Sequence, residues 1–160
     1  MAERVNDLVI EGARILFKNF AGNETKYNPA GRRNFCVVIE DSELATKLVE
    51  DGWNVKQLKP REEGDLPLNY IQVAVRYDNI PPKIYLVSAN GNKTLLNEDT
   101  VISIDHAEIT NVDLIIHPSY WEANGNSGLK AYVKTMYVTI AEDPFESKYS
   151  RYDDEEVPFN

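Results

Sequence analysis

The stretch "GLKAYVKTMYVTI", residues 128–140, decides how the fold is read. It is rich in β-branched and aromatic residues and is the longest apolar-patterned run in the chain, so it reads as a strand. Alternation along it puts Lys130, Tyr132 and Lys134 on one face and Leu129, Ala131, Val133 and Thr135 on the other. Ala131 and Val133 suit a core, so the Lys-Tyr-Lys face is expected to look outward. Two ammonium groups beside an aromatic ring are the groups a single-stranded nucleic acid needs, phosphate neutralisation with a stacking surface for a base. A solvated edge on which Tyr132 covers its neighbours is the other reading of this strand.

Further apolar runs stand on either side. They are "LVIEGARILF" (8–17), "RNFCVVIE" (33–40), "YIQVAVRY" (70–77), "KIYLVS" (83–88), "TVISI" (100–104) and "VDLIIH" (112–117). Each is bounded by Gly, Asn, Asp or Pro, the residues that make turns. In the third run Ile71, Val73 and Val75 share a face opposite Tyr70, Gln72 and Arg76. One segment has a different period. "DSELATKLVEDGW" (41–53) spaces Leu44, Ala45, Leu48 and Val49 as a helix does, with Asp41 or Ser42 as N-cap and Gly52 to end it. About seven strands and one helix predict an all-β chain, a barrel or sandwich with a helix packed on it. The Gly- and Asn-rich segments "NFAGNETKYNPAGRR" and "EANGNSG" read as extended hairpin connections.

Bulk properties exclude several classes. The chain has 160 residues, 42% of them hydrophobic and 27% charged, which fits one globular domain. The single cysteine, Cys36, rules out an internal disulfide. The N-terminus lacks the basic and apolar pattern of a signal peptide, and no apolar run approaches the roughly 20 residues of a membrane span. Of the net charge of −9, seven acids against two bases between Ala141 and Asn160 contribute −5, which leaves −4 for the body. A body of that charge can still carry a basic groove, because phosphate responds to local potential. No P-loop, G-x-S-x-G or C-x-x-C motif is present, and His106 and His117 lack metal-ligand spacing. "DHAE" (105–108) reads as a strand end with solvated charges. No enzyme, cofactor or metal is expected.

Bases and aromatic residues cluster elsewhere too. "KYNPAGRRNF" holds Lys26, Tyr27, Arg32, Arg33 and Phe35, although Phe35 shares a face with Val37 and Ile39 and the core is open to it. "GWNVKQLKPR" holds Trp53, Lys56, Lys59 and Arg61, with Trp53 read as core behind the helix. Tyr120 and Trp121 are read as lying in a loop after Pro118, either as a lid on the core or as stacking residues. The candidate nucleic-acid-binding set is Tyr27, Arg32, Arg33, Phe35, Lys56, Lys59, Arg61, Arg76, Trp121, Lys130, Tyr132 and Lys134.

The chain ends "DDEEVPFN". Four adjacent carboxylates resist packing, so residues 146–160 are expected to form a disordered acidic tail on a 1–145 domain. This ending resembles the acidic C-terminal tip of bacterial single-stranded DNA-binding proteins. Asp153, Asp154, Glu155 and Glu156 match the acids, Val157 the aliphatic residue, Pro158 the proline and Phe159 the phenylalanine. Asn160 follows, so the terminal carboxylate comes one residue late. The body, from "RNFCVVIEDSELATKLVEDGW" to "GLKAYVKTMYVTI", resembles phage- and prophage-encoded single-stranded DNA-binding proteins with an OB-fold. That resemblance implies an OB-like β-barrel with extended hairpins that binds single-stranded DNA without sequence preference. It further implies action in DNA replication or recombination in the cytoplasm of a bacterial host, with partner proteins recruited through the tail. An OB-fold usually carries its helix between strands three and four, whereas here the helix precedes the third. A non-enzymatic phage structural protein and an acidic DNA mimic are the alternatives, and a homodimer is compatible with the sequence.

Overall fold

A computed structural model describes residues 5–26, 28–59, 62–78 and 80–141. Tyr27, Arg61 and the tail from 146 onward lie outside these. The first apolar run forms a bent strand in two pieces, β1 (Leu8–Ile10) and β2 (Ile15–Asn19). The bend is at Gly12, whose φ of +62° favours glycine and whose N–H donates to Asp113 Oδ1 at 2.8 Å. Bending lets one stretch of chain serve two neighbours. β2 pairs antiparallel with β3 (Arg33–Ile39), and β1 pairs antiparallel with β8 (Ile109–Ala123).

The circuit then closes. β3 pairs antiparallel with β5 (Leu68–Val75), and β5 pairs parallel with β9 (Asn126–Ile140) at Val73–Ala131 and Ala74–Tyr132. β9 runs back along β8 as a long hairpin. Its two-residue turn is Asn124-Gly125, with φ of 52° and 81°, the pairing that hairpins with positive-φ turns prefer. The result is a mainly β, OB-like barrel, as the sequence suggests. β4 (Val55–Leu58) extends the sheet beside β5, and β6 (Lys83–Val87) with β7 (Lys93–Leu96) adds a hairpin to β9.

The helix α1 (Ser42–Asp51) stands between the second and third barrel strands, where its sequence signals fall. Asp41 accepts from the N–H groups of Glu43 and Leu44, and Gly52 ends the helix at φ 102°. Ala45 and Leu48 are buried, but Val49 faces solvent. Between the third and fourth barrel strands stand the β6–β7 hairpin and a one-turn helix, α2 (Ser103–His106). The run 100–104 is therefore a turn leading into α2 rather than a strand. Val101 and Ile104, three residues apart, both enter the core. Asp105 accepts from the N–H groups of Phe20 and Ala21 at 2.8 and 2.9 Å, which ties α2 to the end of β2.

The core fills the barrel. Phe20 and Phe35 stack at 5.1 Å between centroids, and Trp53 is buried as expected. Along β5, Ile71, Val73 and Val75 face inward. Along β9 the inward set begins as Ala131 and Val133 and continues as Met136 and Val138. The change of parity is a β-bulge. The pairing with β8 steps from Val133–Ile116 to Thr135–Ile115 and leaves Lys134 as the extra residue. Met136, not Thr135, thus continues the core face.

Candidate nucleic-acid interface

The outward face of β5 carries Tyr70, Gln72 and Ala74, and Arg76 follows where the strand ends. β9 lies alongside and presents Lys130 and Tyr132 on the same face. Tyr132 is the register partner of Ala74, whose small side chain leaves the ring room. The Lys130 ammonium sits 5.4 Å from the centroid of the Tyr132 ring, within cation–π range. Arg76 grips Asp78 with a forked pair of hydrogen bonds at 2.8 and 2.9 Å. The Asp78 carboxylate, then the Tyr132 hydroxyl, raise the Arg76 guanidinium above its ordinary pKa. The same contact holds the Asp78 carboxyl below the usual carboxylate range.

β8 supplies the other flank, because it runs on past Pro118 to Ala123 and carries Tyr120 and Trp121 in the strand rather than in the expected loop. Trp121 is the register partner of Gly128, and its indole lies on that glycine. A Cβ at 128 would come within 3.2 Å of Trp121 Nε1, so glycine is what lets the ring lie flat there. Trp121 remains 44% exposed, so it is a surface ring and not a lid on the core. Across the face, the loop before β3 is held by Asn28. Its amide donates to the carbonyls of Asn23, Pro29 and Arg32, and its Oδ1 accepts from Asn34. This hub fixes the backbone of Arg32 at the rim. Between loop and hairpin runs an open groove of about 830 Å³, lined by Arg32, Gln72, Arg76, Trp121 and Lys130 among others.

The candidate residues thus divide. Arg32, Arg76, Trp121, Lys130 and Tyr132 converge on one face. Arg33 lies at the end of the groove with its side chain 20% exposed, over the Tyr77 ring and 3.5 Å from Glu98. Its Nε and the Tyr77 hydroxyl are buried without a partner among the described residues. Phe35 does not belong to the set. It is wholly buried, because it shares a strand face with Val37 and Ile39 and pairs in register with inward-facing Val73. Lys56 is exposed on β4 opposite Tyr70, farther along the outward face, and Lys59 is exposed beyond it. Lys134 projects at the bulge and donates to Asp7 Oδ2 at 2.9 Å, while His117 Nδ1 lies 2.9 Å from Asp7 Oδ1.

Sequence reasoning passed over Asp7 and His117, which no motif joins and only the β1–β8 pairing brings together. It noted Tyr70 on the outward face but left it out of the candidate set, although strand parity placed it beside Gln72 and Arg76.

A barrel with one basic, aromatic outer face between a loop and a hairpin tip is the architecture with which OB-like folds hold nucleic acids. The chain matches the family described as "Putative phage ssDNA-binding domain" over residues 1–158 and belongs to that family. It is a phage single-stranded DNA-binding protein, not an enzyme. Among solved structures it is similar to the single-stranded DNA-binding protein from bacteriophage Enc34 in complex with ssDNA. The TM-score is 0.55 at 10% identity, over 87% of this chain and 89% of that one. It is also similar to a C-terminal truncation of the Enc34 protein, with a TM-score of 0.53 at 12% identity over 87% and 88% of the two chains. At such identities these two structures bear on the fold alone. No curated protein matches the chain by sequence.

Proposed function

We propose that the chain coats single-stranded DNA without sequence preference, with the strand lying across the outward faces of β5 and β9. The supporting observation is the convergence of Arg32, Arg76, Trp121 and Lys130 on one groove, with the Tyr132 ring beside it under Lys130. Rings that stack on any base and cations that meet phosphates bind without reading sequence. The Enc34 protein similar in fold is itself described in complex with ssDNA. In this reading residues 1–145 are the DNA-binding domain and 146–160 an acidic tail. The protein acts in the host cytoplasm during phage replication or recombination. Val157, Pro158 and Phe159 dock into a partner while Asp153 to Glu156 meet its basic rim. A fluorescence titration tests the DNA-binding reading. Oligo-dT should bind far more tightly than duplex, with a salt slope of about −0.7 per phosphate neutralised. Equal binding to duplex, or indifference to salt, overturns it.

A further inference from the structure

The bulge at Lys134 has an effect outside the core. By reversing parity it turns Tyr137 outward, where regular alternation from Tyr132 would have buried it. Tyr137 is the parallel register partner of Tyr85 on β6, and the two half-buried rings stack at 5.0 Å and 10°. The Lys93 ammonium of β7 lies 5.7 Å and 5.8 Å from the two ring centroids. Lys83 is exposed at the start of β6, opposite Thr135. No carboxylate among the described residues forms an ion pair with Lys83 or Lys93. The nearest acid in register, Asp113, is occupied by the Gly12 N–H. Beside the rings Leu95 is 58% exposed. The groove residues use none of this cluster.

β6 takes over the edge of β9 where β5 leaves it. The outward side of β9 therefore reads Lys130, Tyr132, Lys134 and then Tyr137. At about 3.3 Å per residue, Tyr137 stands roughly 16 Å beyond Tyr132. That is a short step for an extended single strand leaving the groove. We infer that Tyr85, Tyr137, Lys83 and Lys93 form a second single-stranded DNA contact, which takes the strand onward from the groove along β9. The inference rests on the groove reading above. It adds a direction to the path and a larger site.

Strand length separates the two. One OB-fold covers about 4–16 nucleotides. An oligo-dT of about 6 nucleotides should fill the groove, and one of about 16 should also reach the second contact. Full-length Lys93→Glu and Tyr85→Ala proteins, checked for cooperative melting, should bind the short strand as the native protein does. They should bind the long strand roughly five- to a hundredfold more weakly, the equivalent of one lost stacking contact. Variants that keep the full gain in affinity with length overturn the second contact, as does an equal loss on both strands. Failure of the native protein to bind the short strand overturns the groove reading instead.

Discussion

Phe35 and Tyr132 both sit among bases in the sequence, and the barrel sends them to opposite sides. Phe35 stacks on Phe20 inside, so Phe35→Ala should lower stability by about 3–5 kcal/mol, measured by urea unfolding. Tyr132 lies outside between Lys130 and Arg76. Tyr132→Ala should instead cost about 1–3 kcal/mol of single-strand binding with the unfolding midpoint little moved. An unfolded Tyr132→Ala protein would place that ring in the core. Asp7 is the second decisive residue. Its hydrogen bond from Lys134, and next that from His117, hold its pKa below the ordinary 3.8. A carboxyl acidified by folding stabilises the fold above about pH 3.8, and that contribution disappears as pH falls through its lower folded value. Asp7→Asn should therefore melt earlier than the native protein at neutral pH and converge with it in strong acid. It also leaves Lys134 without its carboxylate, and if that lysine meets phosphate the variant binds oligo-dT more tightly at low salt. A melting gap that persists unchanged into strong acid would remove Asp7 from this role.

At the scale of elements, the β8–β9 hairpin carries most of the interface, and its shape depends on Gly128. In Gly128→Val the branched side chain needs the space that Trp121 occupies. The indole should be displaced and single-strand affinity reduced, while a strand-favouring residue keeps the hairpin paired. Loss of the Trp121 fluorescence change on adding oligo-dT checks this, with Trp121→Phe as reference. Much of this hairpin was legible beforehand. Alternation placed Lys130 and Tyr132 outward, but "EANGNSG", read as an extended connection, proves to be strand on both sides of a two-residue Asn124-Gly125 turn. Helix α1 was legible through Asp41, Gly52 and its apolar spacing. The bulge at Lys134 was not, because it arises from closing a twisted barrel and leaves no mark on hydrophobic periodicity. That is why Thr135 was expected inside and Tyr137 went unnoticed. Residues 100–104 misled for a different reason. A short apolar run does not distinguish a strand from a buried turn of helix, and here the contact of α2 with the end of β2 decided it. Phe35 was ambiguous because a basic loop runs directly into a core strand, and only the pairing of β3 with β5 settled its side.

For the whole molecule, charge is divided between body and end. The groove gathers bases on a chain of net charge −9, and the last twenty residues carry −5 of it. A tethered run of carboxylates stays at high effective concentration near its own body and competes with phosphate. Removing Tyr152–Asn160 should therefore raise oligo-dT affinity, most at low salt where charges are least screened. Phe159→Ala should leave that affinity nearly unchanged and lose the recruited partner in pull-downs. Identical partners retrieved by native and Phe159→Ala proteins would reduce the tail to a solubility device.

The barrel is sealed between β5 and β9 by a ladder of two residue pairs, against seven between β3 and β5. Short ladders of this kind are where a native protein breathes first. Ala74 and Tyr132 form one of the two pairs, directly beneath the groove. A DNA strand lying across β5 and β9 spans that gap and lashes its lips together. A ligand held by the closed barrel alone makes every opening rarer in proportion to its occupancy. Deuterium uptake at the amides that cross the β5–β9 seam should accordingly slow when oligo-dT is added. The cargo then becomes a brace: a copy seated on DNA resists heat and protease better than the same copy waiting in solution.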